Sequence, residues 1–211
     1  MSKKSVIVNA LTFARAPLVV LWAVLAVVQE FGDSMALAFC AGAAMALSGL
    51  TDAWDGALAR RWNVVSPLGK MADPLMDKIF YLIAFPVLVW QSASQGECAW
   101  HTLAILTLTV FYLLRDTWVT FMRSLGAMYG ADVSAMMLGK VRTALSFPGA
   151  GWIYAYLSLH RFAPESWHSP WLASCIAVEA VLIVLTAISL FTYTSAYLPY
   201  FKRALERKAD L

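Results

Sequence analysis

The chain has 211 residues, of which 61% are hydrophobic and 14% charged, with a mean hydropathy of +0.66 and a formal net charge of +3. Soluble domains run at about 45–50% apolar and about 25% charged. A water-soluble fold, a disordered chain, a coiled coil, collagen and a disulfide-rich secreted module are therefore excluded, and an all-α integral membrane protein is expected. No basic stripe follows a hydrophilic face, which removes nucleic acid as a partner. Cys40, Cys98 and Cys175 lie far apart with no paired spacing, so separate thiols are expected, not a zinc site or a redox pair.

A membrane-spanning helix needs about 20 mainly apolar residues. Six candidates follow in chain order: 16–29, 34–54, 73–92, 101–122, 138–159 and 169–198. Lys3 and Lys4 ahead of an apolar stretch look like a leader, but Asn9, Thr12 and Arg15 interrupt it and no clear cleavage site follows. Residues 5–14 are instead expected as a retained amphipathic segment at the membrane interface. The last span is long enough to tilt or to project beyond the bilayer. Gly32, the stretch 92–96, Pro164 and Pro170 punctuate the spans, and the whole of 1–211 reads as a single membrane domain.

Charge sets the orientation. The connections 30–33, 93–100 and 160–168 hold one basic residue, Arg161, against Glu30, Asp33, Glu97 and Glu165. Every other one of the 16 Lys and Arg lies at the termini or near the connections 55–72 and 123–137. By the positive-inside rule the termini and those connections face the cytoplasm, which places the protein in a cytoplasmic (inner) membrane.

Carboxylates are excluded from most spans because each is costly in hydrocarbon. Here Asp52 and Asp55 end the second span, and Asp73 and Asp77 open the third. Spacings of three and four put each pair on one helical face. Two such faces would form a cage of hard oxygen ligands suited to Mg²⁺, Mn²⁺ or Ca²⁺. Gly56 and Ala59 are small enough to admit a bulky ligand or a second backbone, Arg60 can grip a phosphate oxygen, and Gly69 suits a turn before the third span. Taken singly, each aspartate reads equally well as a helix cap or a partner of Arg60, Arg61 or Lys70. Four in register with the glycines and the arginine do not.

That register, Asp52-x-x-Asp55-Gly56-x-x-Ala59-Arg60, eight residues, then Gly69-x-x-x-Asp73-x-x-x-Asp77, resembles the signature of the CDP-alcohol phosphotransferase family. The resemblance implies transfer of a phosphatidyl or related group from a CDP-linked donor such as CDP-diacylglycerol to an alcohol, with release of CMP. It implies a two-metal centre of Mg²⁺ or Mn²⁺ held by Asp52, Asp55 and Asp73, with Asp77 as general base close enough to touch a metal, and it implies a homodimer. Asn9-x-x-Thr12-x-x-Arg15 is similar to the amino-terminal Pro-Asn-x-x-Thr-x-x-Arg of many members, with Val8 in place of the proline. Asn9 and Thr12, with Gly56, Ala59, Arg60, Ser66 and Gly69, are then expected to meet the CDP donor. The alternatives are an interfacial helix with no ligand role for residues 9–15, and solvated loop positions for Ser66 and Lys70.

A second cluster, Arg115, Arg123, Lys140 and Arg142, lies at the cytoplasmic ends of spans four and five and is not fully balanced by Asp116 and Asp132. It points to an anionic ligand such as an acceptor phosphate. Anchoring to anionic headgroups is the alternative, and Arg115, set inside an apolar run, counts against it. Arg115-Asp116, Met122-Arg123 and Gly139-Lys140-Val141-Arg142-Thr143 are similar to the Arg-Glu, Leu-Arg and Gly-Lys-x-Lys-Thr of phosphatidylglycerophosphate synthases. This second resemblance implies glycerol 3-phosphate as acceptor. The same chemistry on inositol phosphate, serine or phosphatidylglycerol is the enzymatic alternative. A cation transporter would spread its carboxylates through the membrane, and a scaffold would leave the register unexplained. Glu179, mid-span, is expected to be buried and hydrogen-bonded. His101, His160 and His168 are expected as interface residues on the side opposite the aspartates.

Overall fold

With no water in the bilayer core, apolar runs must satisfy their backbone groups internally, and each expected span folds as a helix longer than the apolar run itself. The computed structural model describes residues 3–32, 34–64, 66–96, 98–131 and 137–206, and only the backbone of Pro67, Lys70, Met137, Leu138 and Lys140. Asp33, Glu97 and Asp132, weighed above for their charge, lie outside the described residues. The elements are α1 (Lys3–Gln29), α2 (Met35–Trp62), α3 (Pro67–Ser94), α4 (Ala99–Met128), α5 (Met137–Leu159) and α6 (Glu165–Glu206), with a 3₁₀ turn at His160–Phe162. No strand occurs among the described residues. The shortest helix, α5, has 23 residues, which at about 1.5 Å per residue exceeds the roughly 30 Å hydrocarbon core. By length and composition alone α1, α2, α4 and α6 can cross a membrane. The other two, α3 and α5, carry polar site residues in their first turns, which dilutes their apolar character.

Residues 5–14 do not form a separate interfacial segment. They run without a break into the first span as one 27-residue helix, with Pro17 inside it. The reason is the buried stripe of α1, which recurs every three or four residues: Val8, Asn9, Thr12, Arg15, Val19, Trp22, Ala26 and Gln29. One stripe is polar at its start and apolar after it, so the same face packs on α2 and α3 throughout. Opposite it, Val20, Leu21, Val24 and Val28 are exposed, as a lipid-facing surface requires.

The facing stripe of α2 is built from small residues, Ala38, Ala41, Ala44 and Ser48, continuing through Thr51 to Asp55. Small side chains let two helices approach closely where hydrocarbon offers no hydrophobic drive. Trp22 fills the remaining space edge-on to Tyr154 of α5, with ring centroids 5.5 Å apart. The core continues through Phe85, Leu88, Ile105, Leu108 and Leu157. The far end of α6 packs on α4 through Tyr193, Tyr197, Val119 and Met122. The three cysteines stand as thiols, Cys40 and Cys98 exposed and Cys175 buried.

Two polar networks hold the end opposite the aspartates. Glu30 Oε1 accepts from Gln91 (2.8 Å), Gln95 (2.7 Å) and Arg161 (3.2 Å). His101 is not an interface residue: it is fully buried, with Nε2 3.0 Å from Oε1 of an equally buried Glu179. Each needs a polar partner inside the bundle, and α4 and α6 supply one another's. Glu179 is thus the buried, hydrogen-bonded glutamate expected from its position. His160 and His168 are half-buried, and their ring nitrogens meet the Tyr156 and Ala163 carbonyls at 3.0 and 3.1 Å.

Candidate active site

Three helices meet around the aspartates. Asn63 ends α2 in the left-handed conformation (φ 51°), returning its N–H to Arg60. Ser66 then caps α3, its hydroxyl accepting from Gly69 N at 2.9 Å, with Pro67 in the first turn. This short reversal sets Asp52 and Asp55 on the last turns of α2 beside Asp73 and Asp77 on the first turns of α3. The turn is made by Asn63, not by Gly69, which lies inside α3. A Cβ on Gly69 would stand 3.2 Å from Ser66 Oγ and 3.6 Å from Asn9 Oδ1, so the glycine clears space for the bond that Ser66 donates to Asn9 (3.0 Å).

α1 forms the third wall. Thr12 donates to Asp55 Oδ2 at 2.7 Å. One turn on, the Arg15 guanidinium bonds Asp52, lies 3.6 Å from Asp55 Oδ2 and donates to Asp77 Oδ1 at 3.0 Å. Three of the four carboxylates thus converge on one buried cation. Asp55 is buried, Asp77 half-buried, and Asp52 and Asp73 exposed. Among the described residues no three His, Cys, Asp or Glu side chains are gathered closely enough to ligate one ion as they stand, because the guanidinium stands between them.

Asn9 and Thr12 therefore face the carboxylate helices, and the buried Asn9 Nδ2 has no partner among the described residues. Gly56 and Ala59 are half-buried and Arg60 is exposed, its guanidinium folded back over Gly56. Among the described residues no second backbone approaches Gly56; the nearest atoms to a Cβ there are those of the Arg60 guanidinium.

The basic cluster is organised by a carboxylate. Asp116 Oδ1 accepts from Arg115 Nη1 and from Arg142 Nη2, both at 3.0 Å. Ser189 of α6 accepts from Arg115 Nε (3.1 Å) and Nη2 (2.7 Å), and the same guanidinium lies over Tyr193 at 4.9 Å. Arg142, 2% exposed, stacks over Tyr112 at 4.3 Å and reaches Tyr81 at 5.7 Å. Its Nε and Nη1 have no partner among the described residues. A Cβ on Gly139 would stand 3.0 Å from Tyr193 Oη and 3.3 Å from Arg115 Nη2, which explains a glycine at the start of α5. The Lys140 side chain lies outside the described residues.

Both clusters open into one cavity of about 870 Å³, whose lining includes Arg15, Asp52, Asp77, Arg115, Arg123 and Arg142. Asp55 and Asp73 are not among its lining residues; Asp55 sits behind it against Thr12. Sequence reasoning did not find Asp116 as the shared acceptor, Ser189 and Tyr193 as supports, or Lys78, which lines the cavity and donates to Thr120 at 2.8 Å. Asp116 and Lys78 had a signal, each adjoining a site residue in the chain. Ser189 had none.

Membrane helices here set carboxylates and arginines around one cleft, a set of charges suited to an enzyme that handles a phosphorylated ligand. Residues 5–187 match the family model for CDP-alcohol phosphatidyltransferase, and the chain belongs to that family of membrane enzymes. It is 31% identical over 189 residues to a cardiolipin synthase (CMP-forming) of Streptomyces coelicolor, covering 82% of this chain and 81% of the relative. It is 30% identical over 191 residues to a CDP-diacylglycerol–glycerol-3-phosphate 3-phosphatidyltransferase of Salmonella choleraesuis, covering 90% and 85%. The Escherichia coli protein of the same name is 31% identical over 161 residues, covering 76% of each chain.

Proposed function

We propose that the protein transfers a phosphatidyl group from CDP-diacylglycerol to glycerol 3-phosphate, releasing CMP and forming phosphatidylglycerophosphate. One observation carries the reading: Asp52 and Asp77 share a cavity with Arg115, Arg123 and Arg142. Glycerol 3-phosphate brings a phosphate of about −1.5 to −2 charge near neutral pH and a hydroxyl a few bonds away. The buried Arg142 guanidinium, whose Nε and Nη1 have no partner among the described residues, suits the phosphate. The hydroxyl then reaches toward the aspartates.

Divalent ions fit the aspartates by the chemistry of the donor set, which is all carboxylate oxygen, and by its convergence on a cation, here Arg15. Asp52, Asp55 and Asp73 would hold Mg²⁺ or Mn²⁺, which when bound would neutralise the donor diphosphate and the charge moving onto CMP. The chain's own part is positioning and proton transfer. Arg115, Arg123 and Arg142, with Lys140, hold the acceptor phosphate. Asp77 takes the proton from the acceptor hydroxyl as its oxygen bonds to the phosphatidyl phosphorus. The bond from that phosphorus to the CMP oxygen breaks, and CMP leaves. Gly56, Ala59, Arg60, Ser66, Gly69 and Asn9 line the approach of the donor. The same reading places the active site on the cytoplasmic face of the inner membrane, in a homodimer.

A second acceptor, phosphatidylglycerol, is favoured by the likeness to the cardiolipin synthase. Purified protein given CDP-diacylglycerol and labelled glycerol 3-phosphate should pass label into lipid in the presence of Mg²⁺. Label that stays water-soluble while phosphatidylglycerol is consumed would favour the second reading.

A further inference from the structure

Arg15 takes no part in the steps above, yet it is one of the largest fully buried side chains in the protein, 2% exposed. A guanidinium cannot lose its proton in a protein, so the charge is permanent. It is bonded to Asp52 and Asp77 and lies 3.6 Å from Asp55. Among the described residues its Nε has no partner.

A Mg²⁺ ion sits about 2.0–2.1 Å from its oxygen ligands. Ligated by the oxygens that now face Arg15, it would stand within about 3–4 Å of the guanidinium nitrogens, where like charges repel. Cation and arginine therefore compete for these oxygens. Thr12 fixes α1 to Asp55 at 2.7 Å, so the conflict is relieved by the arginine side chain and not by the helix. Arg15 lines the same cavity as Asp52 and Asp77, so a withdrawn guanidinium stays beside any diphosphate bound there.

We propose that Arg15 is a tethered counter-ion of the aspartates. It holds Asp52, Asp55 and Asp77 together while no divalent ion is bound, is displaced when ions enter, and then turns to the donor diphosphate. The inference rests on the two-cation reading above. It makes Arg15 a competitor of the metal, where a residue that merely orients the aspartates would assist metal binding.

The two roles predict opposite signs. Wild type, Arg15→Gln and Arg15→Lys are stripped with EDTA in detergent, and Mn²⁺ affinity is measured by electron paramagnetic resonance alongside thermal melting. Arg15→Gln should bind Mn²⁺ on the order of tenfold more tightly than wild type, the scale of one charge-assisted hydrogen bond no longer displaced. It should melt below wild type in EDTA and recover in Mn²⁺, with Arg15→Lys between the two. An Arg15→Gln protein that folds only with Mn²⁺ supports the proposal as its extreme case. Unchanged or weaker Mn²⁺ affinity, or a protein that fails to fold even with Mn²⁺, overturns it. Wild-type protein that binds no Mn²⁺ defeats the two-cation reading itself.

Discussion

Replacing Arg142 with alanine removes a guanidinium that is 2% exposed, donates to Asp116 at 3.0 Å and keeps Nε and Nη1 unpartnered beside the cavity. If those N–H groups hold the acceptor phosphate, the substitution deletes at least one hydrogen bond between charged groups, worth about 1.5–3 kcal/mol. At about 1.4 kcal/mol per factor of ten, the KM for glycerol 3-phosphate should rise roughly ten- to 150-fold. The KM for CDP-diacylglycerol should move less than about threefold if the donor is held, as proposed, at the aspartates. Stability falls as well, since stacking on Tyr112 at 4.3 Å and on Tyr81 at 5.7 Å is lost; such contacts are worth about 0.5–2 kcal/mol each. Initial rates are therefore measured below the melting transition with each substrate varied in turn. An equal rise in both KM values, or a loss confined to kcat, would refute the assignment of Arg142 to the acceptor.

Other expectations separate the remaining roles. Asp77→Asn keeps the size of the side chain but cannot take a proton, so turnover should fall by roughly 10²–10⁴ while CDP-diacylglycerol binding by calorimetry persists. Asp52→Asn and Asp73→Asn should instead weaken donor and Mn²⁺ binding in the same assay. EDTA should abolish CMP release, and Mg²⁺ or Mn²⁺ should restore it; full turnover without divalent ions would contradict the two-metal centre. Glu179→Ala orphans the buried His101 and should lower stability by about 1–3 kcal/mol in thermal melts without moving either KM.

The helices and the aspartate register were legible because both rest on local spacing. Apolar runs long enough to span a bilayer must become helices, and carboxylates three or four apart share a face whatever surrounds them. Partnerships between helices were not legible. Arg15 stood in the chain with Asn9 and Thr12 as one polar face, but nothing in their spacing says that this face closes on Asp52, Asp55 and Asp77. The same limit put His101 at an interface: its partner Glu179 is 78 positions away, and only packing of α4 on α6 joins them. Residues 5–14 looked interfacial because their polar groups were assumed to seek water, whereas they meet other helices. Gly69 was read as a turn residue from its neighbours, though its role is to clear room for Ser66 and Asn9.

The acceptor is the deciding question, because the cavity joins carboxylates to arginines that pair with a phosphate in the proposed reaction. The direct measurement is kcat/KM for CMP release from CDP-diacylglycerol by the purified protein, with glycerol 3-phosphate, phosphatidylglycerol, inositol phosphate and serine offered side by side. Glycerol 3-phosphate should exceed each of the others by at least about tenfold, the worth of one charged phosphate contact. Release that is fastest with phosphatidylglycerol or serine, and indifferent to glycerol 3-phosphate, would contradict it.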